Sequence, residues 1–215
     1  MSLVSRKEFE RLYSAELLPA SGENYSIGDI WDWEGLINQK LVFRFESVTD
    51  VVMNEELKQK LKNIPLVQGN LPEVDMTSDI KIDAGAAIPV LKDINVGNNL
   101  DVKSIVKFSF GNVMSKNILD YRMDFNRELE KLKNQNFDKY KEKIRNYEVV
   151  MQYWYAGSVN LVVDKTVGDT ANIKAKIQGM GLEFKSDVTT DNKETISIKT
   201  SKAPFAAQFM KGRDL

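Results

Sequence analysis

Apolar and polar residues recur along this chain at two different periods, and the period changes near Tyr147. Before that point the helical spacing dominates. Phe9, Leu12, Tyr13 and Leu17 follow the capping-box pattern Ser5-Arg6-Lys7-Glu8 and precede Pro19, which predicts a helix over 5–18. Leu41 to Phe45 reads as a short strand, and Asn54 as the cap of a short helix with Leu57, Leu61 and Ile64 inward. A strand is expected at Asp79–Asp83, with Ile80 and Ile82 on one face. Another is expected over 101–110, where Val106, Phe108 and Phe110 oppose Lys107 and Ser109. Two helices follow, about 116–134 with Ile118, Leu119, Met123, Leu129 and Leu132 as the apolar set, and about 137–145 with Phe137, Tyr140 and Ile144.

From Tyr147 onward the period is two. Tyr147, Val149, Met151, Tyr153 and Tyr155 make one face, and after Ala156-Gly157-Ser158 the residues Val159, Leu161 and Val163 make another. Ala171, Ile173, Ala175 and Ile177 alternate with Asn172, Lys174, Lys176 and Gln178, which predicts a strand over 170–178. Leu182, Phe184 and Val188, then Ile196 and Ile198, and a last edge strand with Phe205, Ala207 and Phe209 complete the set. Turns this short join antiparallel strands, because parallel ones need crossovers of about a dozen residues or more. The expected class is α+β: a twisted, mainly antiparallel sheet with peripheral helices and a C-terminal β-meander. A single domain is expected over 1–215, with a helical and mixed part (1–146) and the meander (147–209).

Composition narrows the chemistry. The 215 residues contain no cysteine and no histidine, so disulfides, thiol nucleophiles, Ser-His-Asp triads and His-ligated metals are excluded. What remains is carboxylate and lysine chemistry, or Mg²⁺ and Ca²⁺ on oxygen ligands. Lys+Arg is 30 against 31 Asp+Glu, so no global electrostatic footprint for nucleic acid exists, and none is expected as a partner. No apolar run approaches the roughly 18–20 residues of a transmembrane helix. Arg6, Lys7 and Glu8 stand where a signal peptide needs its apolar core, so a soluble cytoplasmic protein is expected.

Four features carry candidate chemistry. Asp29, Asp32 and Glu34 sit beside Trp31 and Trp33, as carboxylates with aromatic platforms do in a sugar or metal site; the competing assignment is tryptophans in a core and acids in solvent. If the segment is extended, Asp32 and Glu34 share a face that Asp29 opposes. Gly179-Met180-Gly181 lacks the third glycine and the following helix of a nucleotide loop, and suits a turn. Lys131, Lys133, Lys139, Lys141, Lys143 and Arg145 are lipid-headgroup candidates, or else a solvated helix face diluted by Glu128, Glu130, Asp138 and Glu142. The strands after Tyr147 suit either a sheet with one face on a core or a membrane-spanning barrel wall of about 9–11 residues per strand.

The order of features resembles a bacterial gasdermin. The helix runs into Leu17-Leu18-Pro19 and Tyr25-Ser26-Ile27-Gly28-Asp29-Ile30; Ile64–Pro72 contains prolines; a strand pair near 79–110 ends in Val106–Val113; Tyr147–Val150 opens a hairpin; Ile196-Ser197-Ile198 and Pro204-Phe205-Ala206 lead to Phe209. The resemblance implies a non-enzymatic pore-former without cofactor, soluble and autoinhibited until a protease releases it. It would then oligomerise with itself in membrane lipid through extended hairpins, moving from the cytoplasm to the inner membrane. On this sequence the inserting positions would be Ile80, Ile82, Val106, Phe108, Phe110, Val159, Leu161, Val163, Ala171, Ile173, Ala175 and Ile177. Several bacterial members have a lipidated N-terminal cysteine and a short C-terminal inhibitory peptide; this sequence has no cysteine and reaches Leu215 soon after the last expected strand. The alternative is a soluble β-rich module that binds an apolar small molecule or a protein partner, using aromatics such as Tyr147, Tyr153, Trp154 and Tyr155. A carboxylate enzyme centred on Asp29, Asp32 and Glu34 is a third reading.

Overall fold

The computed structural model describes residues 10–11, 14–18, 25–34, 40–69, 105–166, 170–179, 182–199 and 204–215. In chain order the elements are β1 (Glu16–Leu17), β2 (Asp29–Glu34), β3 (Lys40–Ser47), α1 (Val48–Val52), α2 (Glu55–Lys62), β4 (Val67–Gln68), β5 (Ile105–Gly111), β6 (Met114–Asn117), α3 (Arg122–Gln135), α4 (Phe137–Tyr140), β7 (Glu148–Tyr155), β8 (Ser158–Asp164), α5 (Thr170–Gly179), β9 (Phe184–Thr190), β10 (Lys193–Lys199) and β11 (Pro204–Lys211). A one-turn 3₁₀ helix precedes α3, and a π-turn over Lys141–Arg145 follows α4. The class is α+β with antiparallel pairing throughout the registers given below. Two compact units divide the chain, each assembled from three separate segments.

The first unit comprises Met1–Glu23, Gln68–Met114 and Trp154–Ala206. Its sheet has the order β5-β8-β10-β9. Leu161 lies opposite Ile196 on one side and Phe108 on the other; Val159 lies opposite Ile198 and Phe110. Alternation works here as the sequence predicts: Val159, Leu161, Val163, Ile196 and Ile198 are wholly buried, while Asn160, Val162 and Ser197 on the other face are partly exposed. On that opposite face Ser197 Oγ donates to Asn160 Oδ1 at 2.8 Å. Phe110 stacks on Phe205, ring centroids 3.9 Å apart.

Three expectations fail in this unit. The segment Thr170–Gly179 is the helix α5, so Ala171, Ile173, Ala175 and Ile177 do not line a strand face. Its sequence holds both periods at once: Ile173 and Ile177 are also one helical turn apart, and both are fully buried, while Ala171 and Ala175 are exposed. Alanine, lysine and glutamine favour the helix, and a single buried stripe suffices to dock it. The expected inward face of β9 is the second. Phe184 is partly buried, but Val188 is 67% exposed; among the described residues β9 ends the sheet order and pairs with β10 alone. The third is the helix end. Ser14 is left-handed (φ 49°) and Glu16–Leu17 is strand, so no helix reaches residue 18; Leu18 N donates to Phe205 O at 3.0 Å. Residues Ile80 and Ile82 lie outside the described residues, as do the side chains of Val106 and Phe108.

The second unit comprises Asn24–Val67, Ser115–Tyr153 and Ala207–Leu215. Here β2 pairs antiparallel with β3 (Trp31 opposite Phe43, Trp33 opposite Leu41) and with β7 (Ile30 opposite Val149). Val149 and Val150 point to opposite faces of β7 and both are fully buried, so β7 is covered on both sides and the expected one-sided alternation fails. Ser47 caps α1 in a closed capping box with Asp50, and Asn54 caps α2, its Oδ1 accepting from Leu57 N at 2.9 Å. Gly28 has φ +88°, and an added Cβ there would stand 3.2 Å from Phe125 Cε2 of α3 and 3.6 Å from Leu61 Cδ1 of α2. The strands after Tyr147 do not form one meander: β7 pairs with β2 and β11, whereas β8 pairs with β5 and β10. Nor is β11 an edge, since it is flanked by β1 and β7.

These placements predict unequal costs. Leu161→Ala, in the middle of β8, should lower the unfolding free energy by about 2–5 kcal/mol. Val188→Ala should change it by less than about 0.5 kcal/mol. Urea denaturation of the two variants checks both.

Candidate functional site

The hairpin region that the sequence singles out maps onto β8, α5 and β9 of the first unit. The inner face of β10 carries Glu194 in line with Ile196 and Ile198, and Lys174 of α5 forms an ion pair with it. That contact, with Ile173 and Ile177 buried, lays α5 over the apolar face of the sheet. The Lys174 ammonium holds the Glu194 carboxyl below its ordinary range despite some desolvation. Val159, Leu161, Val163 and Phe110 therefore face a core here.

The basic candidates of α3, α4 and the π-turn do not form one free cationic face. Lys131 is 2.8 Å from Glu128, Lys133 Nζ donates to Leu215 O, and Lys139 Nζ donates to Val51 O at 2.7 Å. Lys143 lies 3.8 Å from Glu46. Lys141 is exposed, and Arg145 lies over the Phe137 ring at 6.0 Å. Arg145 also lines a cavity of about 290 Å³ with Asn146, Lys211 and Arg213, opposite Asp32, Trp33 and Glu148. Lys211 and Arg213 come from the chain's last residues, which no sequence pattern linked to Arg145.

The acidic cluster separates. Asp32 and Glu34 share a face, as the extended backbone requires, and both approach Arg44, at 3.5 and 3.9 Å. Asp29 opposes them and is buried at 4% exposure, while Trp31 is buried and Trp33 partly so. The three acids therefore do not converge in one cleft, as a carboxylate enzyme or a sugar site would need. Among the described residues no group of three acidic side chains forms a metal cluster.

Asp29 instead ends a buried polar chain. Its Oδ2 accepts from Ser26 N at 2.7 Å and from Tyr153 Oη at 3.2 Å, and Trp31 Nε1 donates to Tyr153 Oη at 3.3 Å. Tyr25 stacks on Tyr153 with centroids 5.9 Å apart and meets Phe43 edge-on at 5.1 Å. Burial pushes the Asp29 carboxyl up to about 7; the Ser26 and Tyr153 hydrogen bonds oppose this and the nearby Asp50 carboxylate adds to it. Asp29 lines a cavity of about 290 Å³ with Ser26, Ile27, Phe43, Glu46, Ser47, Thr49, Asp50, Lys58, Leu61 and Lys62. Sequence reasoning found Asp29 but missed its partners. Tyr153 is 124 residues away, and only the pairing of β2 with β7 brings it near.

Among solved structures the chain is similar to a bacterial gasdermin from Bradyrhizobium tropiciagri, at 12% identity. The match covers 92% of this chain and 82% of that one, with a TM-score of 0.49. No family model matches the chain, and no curated protein matches it. None of the described helices is long and apolar enough to cross a membrane.

The raised Asp29 carboxyl sets a pH dependence. Its pKa is about 7 folded against an ordinary 3.8, so between those values the folded state holds a proton that the unfolded state releases. Stability therefore falls as pH rises from about 4 to about 7, by up to about 4 kcal/mol for a three-unit shift. Urea midpoints between pH 5 and 8.5 should decline for the native sequence. They should stay flatter for Asp29→Asn, which should be the more stable of the two at pH 8 by about 1–3 kcal/mol.

Proposed function

We propose that this chain is a non-enzymatic pore-forming protein of gasdermin type. It is held soluble in the cytoplasm until proteolytic release lets two hairpin regions straighten, and copies then pair into a barrel in the inner membrane. The observation that carries this reading is α5, a docked helix whose sequence is written in the period of a strand. As a helix it buries, among the described side chains, Ile173 and Ile177. As a strand it would present Ala171, Ile173, Ala175 and Ile177 on one face and Asn172, Lys174, Lys176 and Gln178 on the other. That is the apolar-out, polar-in wall of a membrane barrel, and its ten residues suit the roughly 9–11 of a tilted spanning strand.

The flanking strands support the same reading. Val159, Leu161 and Val163 already alternate with Ser158, Asn160, Val162 and Asp164 on β8, so β8, α5 and β9 straightened together would make one long hairpin. The second region would run through Ile80, Ile82, Val106, Phe108 and Phe110. Among the described residues β5 and β9 are the outermost strands of the first unit's sheet, and an outermost strand is a liability in water that a closed barrel removes. Undocking α5 costs the burial of two isoleucines and one ion pair, and contact with acyl chains would offset that cost. Anionic headgroups would be met by Lys131, Lys133, Lys139, Lys141, Lys143 and Arg145, with Lys141 and Arg145 first because both are exposed and neither forms an ion pair among the described residues.

Dye-loaded vesicles containing anionic lipid test this on intact and protease-nicked protein. The chain has no cysteine, so Lys174→Cys with Glu194→Cys gives a clean pair for a short bis-maleimide cross-link between α5 and β10. Nicked protein should release dye, and the cross-link should cut release by about tenfold or more. Absence of release from nicked protein, or equal release with α5 cross-linked in place, overturns the proposal.

A further inference from the structure

The cavity around Asp29 lies wholly within the second unit, and nothing in the pore-forming reading uses it. We propose that it binds a small organic ammonium ion, whose charged head takes the free oxygen of Asp29 and whose alkyl body lies along Phe43. Both hydrogen bonds to this carboxyl fall on Oδ2. Among the described residues Oδ1 makes none, although the side chain is almost fully buried and lines the cavity. A buried carboxylate oxygen without a donor is costly, and a ligand that brings an N–H⁺ removes that cost.

The surrounding charges select a cation. Asp29, Glu46 and Asp50 line the cavity against Lys58 and Lys62. Lys58 is already engaged with Asp50, whose carboxyl also accepts from Ser47 N and Oγ; Glu46 is 3.8 Å from Lys143. Among the described residues Asp29 is thus the lining acid without a cationic partner, while Lys62 lines the same cavity. Burial, with the Asp29 carboxylate, raises the pKa of the nearby Tyr25 phenol. Phe43 gives an aromatic wall, which favours an organic cation over a hydrated metal ion. The volume, about 290 Å³, suits a ligand of a few heavy atoms. With the Asp29 carboxyl at about 7, binding near neutral pH converts the neutral acid to carboxylate and sends its proton to solvent.

Calorimetry of the full chain with n-butylammonium, in two buffers of different ionisation enthalpy, reads both affinity and proton release. A Kd near or below about 1 mM is expected, with roughly half a proton released at pH 7 and affinity falling towards tenfold per unit at lower pH. Asp29→Asn should weaken binding by about tenfold or more and Phe43→Leu by about threefold, while Glu34→Gln leaves it unchanged. No binding at about 20 mM ligand, equal binding by a folded Asp29→Asn, or affinity flat between pH 5.5 and 8.5 overturns the proposal. The pH profile of the native sequence decides the matter should Asp29→Asn fail to fold.

Discussion

The strand Glu148–Tyr155 is the constraint on which the second unit depends. Its backbone is hydrogen-bonded on both edges, to β2 and to β11, and its side chains are buried on both faces. A strand in that position has no solvated side on which to place a mismatch. It therefore fixes the register of β2 through Ile30 and Val149, and with it the position of Trp31 and Asp29. It anchors the loops as well: Gly28 N donates to Val150 O at 2.9 Å, Ile118 N to Met151 O at 3.0 Å, and Gly212 N to Tyr147 O at 2.8 Å. Gly212 sits so near the π-turn that an added Cβ would collide with Ile144 O, and its carbonyl accepts from Tyr140 Oη at 2.6 Å. The helical segment and the chain's end are thus tied to one strand by backbone groups that have no water to turn to.

The same burial creates the protein's least comfortable group. Asp29 is carried into the core by the strand that carries Trp31, and its two hydrogen bonds to Oδ2 only partly offset desolvation. A carboxyl kept near neutral pH beside a cavity is a different chemical object from Asp32 and Glu34, which rest against Arg44 at the surface. Three acids within six residues thus have two distinct environments, set by strand parity and by which face is covered.

In the first unit the corresponding tension lies in α5. Its docking rests on two isoleucines and on Lys174 paired with a buried glutamate. Both contacts are tertiary; the sequence alone offers the strand period equally. Residue propensity and both contacts favour the helix, and only the alternation of apolar positions also fits a strand.

Much of the fold was legible in the pattern of residues. The cap at Asn54, the helices near 122–145, the strand at β3, and the alternation of β8 and β10 follow from propensity, capping and one-sided burial, which act over a few residues. The separation of Asp29 from Asp32 and Glu34 also follows from strand parity alone. What local pattern cannot carry is which face is covered, and by what. That decided α5 over a strand, β7 buried on both sides, Val188 in solvent, and β11 inside a sheet instead of at its edge. It also placed Tyr153 on Asp29 and brought Lys211 and Arg213 to Arg145. The sequence by itself determined the class, many of the elements and the absence of histidine and cysteine chemistry; only the tertiary structure decided the pairings and whether 170–179 is helix or strand. Burial and desolvation belong to contacts between residues far apart in the chain, and those have no period to read.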